Sequence, residues 1–362
     1  MRSNPRTAFV LDALPALGGG EKVVLAALEA VPDAEIFTLI YNRPIFAHTP
    51  LAGRHVHTSP LNRLPLAHSQ HRWLLPLMPL AIEHLDLSAY DRVVSFSYAV
   101  AHGAHARHDA THLAYTYTPM RYAWRDLNIN GTHTRKPPLL DWLMRSFKQW
   151  DLKAAARVHR FAAISQAVSQ RIASAYHRPA TVIHPPVEVE RFAPAAARDD
   201  YYLTVTRLVP HKRVDLLVQA CTQLGLRLLV VGDGPELRHL QQLAGPTIQF
   251  TGFVPDPAVA DLLSRARGFL CATEEDFGIA IVEAQAAGCP VLAYGRGGAL
   301  ETVQAGVTGN FFSEQSVECL VEALQRFERT HASFQTGAMV QQAQRYNTER
   351  FKREFLEFVA HE

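Results

Sequence analysis

Glu275 and Glu283 bound the segment Glu275-Asp-Phe-Gly-Ile-Ala-Ile-Val-Glu283, with seven residues between the two carboxylates. Phe277-Gly278 reads as the break before a helix, so Glu275 stands ahead of the helix N-terminus and Glu283 within it. Were the whole span helical, eight residues at ~1.5 Å of rise would part the two Cα atoms by about 12 Å. That separation fits poorly with the ~5 to 9.5 Å carboxyl pairs of glycosidases. It fits two contacts on different parts of one long ligand. Free N–H groups around Phe277, Gly278 and Ile279, aided by the helix dipole, would favour an anion there. Upstream, Arg207 and Lys212 lie five apart where a strand gives way to a helix. Two such cations can grip adjacent phosphates, Arg207 as a bidentate fork and Lys212 as a point charge. Glycine turns follow two further strand-like runs, Gly232-Asp-Gly234 and Tyr294-Gly-Arg-Gly-Gly298, and glycine lets backbone approach a ligand closely. Taken singly, each charge reads as a solvated surface residue. As a set in one half of the chain they read as a site for a phosphorylated ligand.

The first half holds weaker signals. Leu17-Gly-Gly-Gly-Glu21 closes a strand and opens a helix, so Gly19 and Gly20 can offer N–H groups to a phosphate or leave room for an acceptor; a flexible helix start is the plain alternative. His102, His105, His108 and His112 suggest a metal, but on a helix His102 and His108 face about 120° apart and do not converge. From Thr134 to Arg160, Arg135, Lys136, Arg145, Lys148, Lys153, Arg157 and Arg160 outnumber Asp141 and Asp151, with Trp142, Phe147 and Trp150 between them. A basic helix with interleaved aromatics suits the anionic face of a bilayer. The plain alternative keeps the aromatics in the core and the charges in water.

The elements that must position these residues alternate throughout as short apolar runs and helical stretches, the α/β signature. Strands are expected at Ala8–Leu11, Glu35–Ile40, Arg92–Ser97, His112–Thr116 and Phe161–Ile164, then at Tyr202–Thr206, Arg227–Val231, Ile248–Phe250, Gly268–Cys271 and Val291–Ala293. Intervening helices imply right-handed crossovers and parallel sheets. Three prolines and an Ala-rich polar tail mark a linker at 184–200, between an N-terminal domain (1–183) and a C-terminal one (201–345). The residues 346–362 read as a helix, with Phe351, Phe355 and Phe358 on one face, that packs back on the N-terminal domain. Two doubly wound domains in tandem would turn their ligand loops toward a shared cleft.

Composition agrees with this outline. The 362 residues are 48% hydrophobic and 19% charged, a globular composition long enough for about two domains at ~150 residues each. Against 34 Asp and Glu stand 36 Lys and Arg, and a formal charge of +2 gives no reason to invoke nucleic acid. Asp12 and two prolines interrupt the apolar stretch that a signal peptide would need. Leu74–Ile82, the nearest approach to a spanning run, is short and holds Pro76 and Pro79. Four scattered cysteines argue against a disulfide framework or zinc cluster. The reading is a cytoplasmic protein, or one resting on the cytoplasmic face of a membrane.

With these residues in place, the chain resembles a retaining glycosyltransferase of the GT-B architecture, in glycosyltransferase family 4. The family pattern E-G-F-G-x-x-x-x-E is met by Glu275 to Glu283, with Asp276 in place of the first glycine. The R-x4-K pair of Arg207 and Lys212, the Val231-Gly-Asp-Gly-Pro-Glu236 turn and Gly288-Cys-Pro-Val291 also fit. The resemblance covers nearly the whole chain. It implies two Rossmann-like doubly wound domains facing an interdomain cleft. It further implies that Arg207 and Lys212 hold the donor diphosphate, that Glu275 touches the transferred sugar and that Glu283 bonds the nucleotide ribose. Gly232, Gly234, Phe277, Gly278 and Ile279 would complete the donor site. No cofactor and no catalytic metal are implied, since cations and helix N–H groups stabilise the leaving diphosphate.

Tyr117-Thr-Pro-Met-Arg121-Tyr-Ala-Trp124 resembles a narrower pattern, H-T-P-M-R-Y-x-W, of enzymes that build bacterial O-antigens and exopolysaccharides, many of which transfer mannose from GDP-mannose. Tyr117 stands at the pattern's histidine, which many relatives count among their catalytic groups. A phenol of ordinary pKa ~10 donates a hydrogen bond but is not easily protonated near neutrality. Gly19, Gly20, Arg121 and Ser165 fall on the acceptor side, Ser165 being equally suited to capping a helix. The expected activity is transfer of a sugar, mannose from GDP-mannose first, with retention onto a hydroxyl of a lipid-linked glycan in bacterial surface polysaccharide synthesis. Alternatives are a UDP-sugar donor, a nucleotide-sugar epimerase or phosphorylase on a similar frame, and a non-catalytic subunit that holds a nucleotide sugar or glycan.

Overall fold

A computed structural model of the chain describes residues 5–65, 67–124 and 138–360. The chain divides into two compact units, Met1–Pro186 with Phe351–Glu362, and Val187–Arg350. Among its described residues the first carries seven parallel strands: β1 (Thr7–Leu11), β2 (Glu35–Thr38), β3 (Val56–Thr58), β4 (Arg92–Ser97), β5 (Thr111–Thr116), β6 (Arg160–Ala163) and β7 (Ala180–Val182). Their spatial order is β3-β2-β1-β4-β5-β6-β7. The second unit carries β8 (Tyr202–Val205), β9 (Leu228–Val231), β10 (Ile248–Gly252), β11 (Gly268–Cys271), β12 (Val291–Tyr294) and β13 (Gly309–Phe312) in the order β10-β9-β8-β11-β12-β13, again all parallel.

Each expected strand forms, because runs such as Phe9-Val-Leu11, Leu228-Leu-Val-Val231 and Gly268-Phe-Leu-Cys271 are apolar on both faces, as a parallel sheet covered by helices on both sides requires. Three strands escaped the sequence reading. β3, β7 and β13 lie at sheet edges, are three or four residues long, and carry partly exposed side chains, so no apolar run announces them.

Strand order reverses between β1 and β4 in the first unit and between β8 and β11 in the second. At such a switch point the two flanking loops leave the strand C-termini in opposite directions, and the gap between them is where open α/β sheets take ligands. Around β8 and β11 the second core is built from Tyr202, Leu217, Leu228, Val230, Leu270, Leu292, Phe312 and Phe327. The helix Thr348–Ala360 begins in the second unit, and from Phe351 onward belongs to the first. There Phe355 is fully buried, edge-on to Phe9 at 6.0 Å and stacked on Phe96 at 5.8 Å between ring centroids. Of residues 184–200, expected as a linker, those up to Pro186 group with the first unit and those from Val187 onward with the second. The Val187 N–H donates to the Tyr346 carbonyl at 2.9 Å, Phe192 is buried, and the Arg198 guanidinium bonds the Gly288 carbonyl.

Candidate active site

The β8/β11 switch point gathers the strongest sequence candidates. Lys212 leaves the loop after β8, Glu275 the loop after β11, and Lys212 Nζ meets Glu275 Oε1 at 2.7 Å with both side chains 22% exposed. Burial works against the ammonium charge, yet the attraction and hydrogen bond of Glu275 outweigh it and set the Lys212 pKa above the ordinary lysine value. The two loops are also tied behind this pair. The Thr273 hydroxyl, itself buried, donates to the His211 carbonyl at 2.9 Å, which fixes the residue before Lys212 against the segment leading to Glu275. Sequence reasoning missed this clamp, although Thr273 lies only two residues before the segment that opens at Glu275. Cys271, also missed, ends β11 with Sγ 3.9 Å from Glu275 Oε1, and burial first, then the Glu275 charge, pushes its thiol up to about 12.

Arg207 sits five residues before Lys212 on the same loop, exposed, with no side-chain partner among the described residues. Gly278 takes φ +97 and opens the helix Ile279–Ala286 without a side-chain cap. Among the described residues the N–H groups of Gly278, Ile279 and Ala280 have no acceptor. Glu283 lies half-buried in that helix. One loop pair therefore presents an unpaired guanidinium, a held ammonium–carboxylate couple and three free N–H groups. That is the equipment of an anion site.

The glycines have a packing task that the sequence does not display. A Cβ on Gly232 would lie 1.9 Å from the Thr206 carbonyl oxygen, and one on Gly234 2.2 Å from that of Leu208. Both pack on the backbone of the Arg207 loop, which Leu208 and Asp233 lock by an N–H to carbonyl bond of 2.9 Å. Gly297 (φ +66) and Gly298 do the same for the other loop. Their added Cβ atoms would meet the Glu275 oxygen at 2.2 Å and the Phe277 Cα at 2.3 Å, and the Gly298 N–H donates to the Glu275 carbonyl at 2.8 Å. Close approach is required, but by neighbouring backbone. Phe277 is buried edge-on to Tyr346 at 5.3 Å and serves packing.

In the first unit the switch point is filled by the chain itself. Asp12, just past β1, accepts N–H bonds from Tyr98, Ala99, Val100 and Ala101 after β4, at 2.5–3.1 Å. Gly19 and Gly20 start the helix Gly19–Ala30, and the Tyr117 hydroxyl donates to the Gly20 carbonyl at 2.7 Å. Burial first, then Tyr115, Glu21 and Asp12, drives the Tyr117 pKa far above the ordinary phenol value, so it keeps its proton. Ser165 is fully buried and caps the helix Gln166–Tyr176, its Oγ accepting the Val168 N–H at 3.1 Å. Arg121 is half-buried in the short helix Arg121–Trp124, whose Trp124 donates its indole N–H to the buried Asp151 at 2.5 Å. The other Asp151 oxygen lies 2.9 Å from Nε2 of buried His102, whose Nδ1 is 2.9 Å from the Ser97 hydroxyl.

Of the basic stretch considered for a bilayer, Arg135 and Lys136 lie outside the described residues. In the helix Pro138–Arg157, Lys148 sits over the Trp124 ring at 4.2 Å, and Arg157 bonds Glu83 and the Gly103 carbonyl; just beyond it, Arg160 bonds the Phe358 carbonyl. Phe147 is buried, and Trp150 donates to Glu83 at 2.9 Å. Much of its charge is thus spent inside the unit.

Comparison with known proteins bears on this geometry. Residues 187–345, nearly all of the second unit, match the family described as Glycosyl transferases group 1. The chain is 34% identical over 194 residues to a GDP-mannose-dependent alpha-(1-6)-phosphatidylinositol monomannoside mannosyltransferase of Mycolicibacterium smegmatis, covering 44% of this chain and 50% of that one. It thus spans about half the length of this curated relative. Among solved structures it is similar to sucrose-phosphate synthase from Thermosynechococcus elongatus (TM-score 0.77, 18% identity, 98% of each chain). It is also similar to HepE of Anabaena, solved with UDP-glucose (TM-score 0.72, 18% identity, 99% of this chain and 100% of that one). The fold is that of the GT-B glycosyltransferases, and the second unit is similar over nearly all of its length to the group 1 glycosyl transferases.

Proposed function

We propose that the chain is a nucleotide-sugar-dependent glycosyltransferase that moves mannose from GDP-mannose, with retention of configuration, to a hydroxyl of a lipid-linked glycan in bacterial surface polysaccharide synthesis. The observation that carries this reading is the Lys212–Glu275 couple at the β8/β11 switch point, beside free Arg207 and the open helix start at Gly278. When the bond from the anomeric carbon to phosphate breaks, negative charge grows on the departing diphosphate. Arg207, Lys212 and the N–H groups of Ile279 and Ala280 would stabilise it without reorganising, and one such donor is typically worth ~3 kcal/mol. Glu275, already held by Lys212, would keep its carboxylate toward the sugar, and Glu283 would reach the ribose. The mannosyl and guanine preferences rest on likeness to the mycobacterial enzyme and on Tyr117–Trp124. No metal enters the proposal, since the cations and N–H groups fill that role.

Thermal shift with GDP, UDP, GDP-mannose and UDP-glucose tests the donor, because a ligand at ~100 times its Kd adds about 2.7 kcal/mol of stability. Stabilisation by GDP and GDP-mannose alone is expected; a response only to the uridine ligands would replace the donor, and none at all would sink the reading. Lys212→Ala should cut acceptor-dependent GDP release by ~10²–10³-fold while moving Tm by a few degrees at most. The commitment of the Tyr117 hydroxyl to Gly20 favours a second reading, a non-catalytic nucleotide-sugar subunit. Turnover of donor by the purified chain would remove it.

A further inference from the structure

Between Ile36 and Ile82 the first unit has no Asp or Glu, where the chain's overall frequency would place about four in 47 residues. The same stretch holds Arg43, Arg54, Arg63 and Arg72 and five histidines, so it carries a formal +4 while the rest of the chain sums to −2. Its surface is also unusually apolar. Trp73 is 82% exposed, Leu80 61%, Leu77 49% and Leu64 40%. Leu77 and Leu80 line an open groove of about 710 Å³ together with Phe37, Pro60, Leu61 and Ala81. Asp86, beyond the stretch, is the groove's one carboxylate, and it is engaged by the Ser88 hydroxyl and N–H. Prolines 60, 65, 76 and 79 break the segment into short turns, so the apolar side chains stand out from rigid corners.

Exposed Trp and Leu on a stretch of chain that holds cations such as exposed Arg63 and no carboxylate match a surface that is hydrocarbon beneath and anionic above. An isolated apolar patch would fit many partners. The charge pattern selects among them. We propose that this face of the first unit docks on an anionic lipid bilayer, Trp73, Leu77 and Leu80 entering the acyl boundary while Arg63 meets headgroup phosphates. This places bilayer contact on 60–80 before the helix Pro138–Arg157, which exposes Trp142 at 61% but has its Lys148 and Arg157 engaged. The proposal is independent of the reaction assigned above.

Co-sedimentation of the full chain with vesicles tests it without any activity assay. Equimolar phosphatidylcholine and phosphatidylglycerol vesicles should bind the protein at least ~10-fold more tightly than pure phosphatidylcholine. Trp73→Ser with Leu80→Ser should weaken that binding ~10-fold or more, and Arg63→Glu severalfold, with circular dichroism unchanged. Arg63→Glu is a fully surface change and keeps the test valid should the double variant misfold. Quenching of tryptophan fluorescence by brominated lipid should fall in Trp73→Phe. Arg145→Glu with Lys153→Glu should leave binding as it was. Equal binding to both vesicle types, no binding, or loss confined to the 145/153 variant would overturn the proposal. So would self-association of the wild type that Trp73→Ser with Leu80→Ser abolishes while vesicles stay unbound, which would make this face an interface between copies.

Discussion

Tyr117 poses the sharpest choice among single residues. Its hydroxyl spends its proton on the Gly20 carbonyl at 2.7 Å, and burial holds the phenol protonated. A group so placed orients the glycine loop between β1 and its helix. We expect it not to trade protons with a reacting sugar. Replacing Tyr117 by Phe removes one hydrogen bond and keeps the ring, so a loss of about 1 kcal/mol in stability is expected. The matching effect on transfer should stay within ~10-fold, whereas loss of a true general acid or base costs ~10²–10⁴. A drop of that larger size, with Tm nearly unchanged, would return the phenol to the chemistry. The motif around Tyr117 was legible in the sequence; its hydrogen-bond partner, 97 residues away, was not. Arg207 and Lys212 were legible because their chemistry and spacing are local. The Thr273 clamp was not, because only the parallel order of β8 beside β11 brings Thr273 to His211.

At the scale of loops and strands, the glycines decide how finely the site is held. Gly297 has φ +66 and leaves no room for a Cβ, which would stand 2.2 Å from the Glu275 carbonyl oxygen. Gly306 has a similar φ of +73 but nothing within 4 Å of its added Cβ. Alanine at Gly306 therefore meets only backbone strain, about 1 kcal/mol. Alanine at Gly297 must also push the Glu275 segment aside, and we expect at least ~2–3 kcal/mol of destabilisation together with weakened nucleotide binding. Urea denaturation of the two variants compares them directly; equal losses would mean the loops give way freely. Sequence alone shows that these positions are glycine, not which neighbour demands it. The same gap explains the edge strands. β3 has His57 at its centre and β7 is partly exposed along its length, so neither displays the unbroken apolar run that reveals β1 or β9. Asp12 illustrates the reverse case, a charged residue in an apolar stretch whose use is visible only once β4 lies beside β1 and turns four N–H groups toward it.

On the scale of the molecule, two units with separate sheets and cores allow their stabilities to be read apart. All four tryptophans, Trp73, Trp124, Trp142 and Trp150, belong to the first unit, so fluorescence reports that unit and far-UV circular dichroism reports both. His112 of β5 is buried there with Nε2 3.1 Å from the Ser95 hydroxyl, and burial first, then His102, holds its pKa down to about 3. The unfolded chain takes up that proton near pH 6.5 and the folded one only near 3. Stability from this residue is therefore complete above the unfolded value and lost as pH falls from there toward the folded one, at ~1.4 kcal/mol per pH unit. Between pH 7 and pH 5 the tryptophan-monitored urea transition should lose about 2 kcal/mol through His112, and His112→Gln should flatten the slope by that amount even if its stability at pH 7 is lower. An unchanged slope in the variant would place the acid sensitivity elsewhere. On the proposed function, donor nucleotide would act on the other unit, where Lys212 and Glu275 lie. At ~100 times its Kd it should raise the dichroism transition of that unit by about 2.7 kcal/mol and leave the fluorescence transition where it was. If both transitions rise together, the two units unfold as one cooperative body and ligand at β8/β11 stabilises the whole chain.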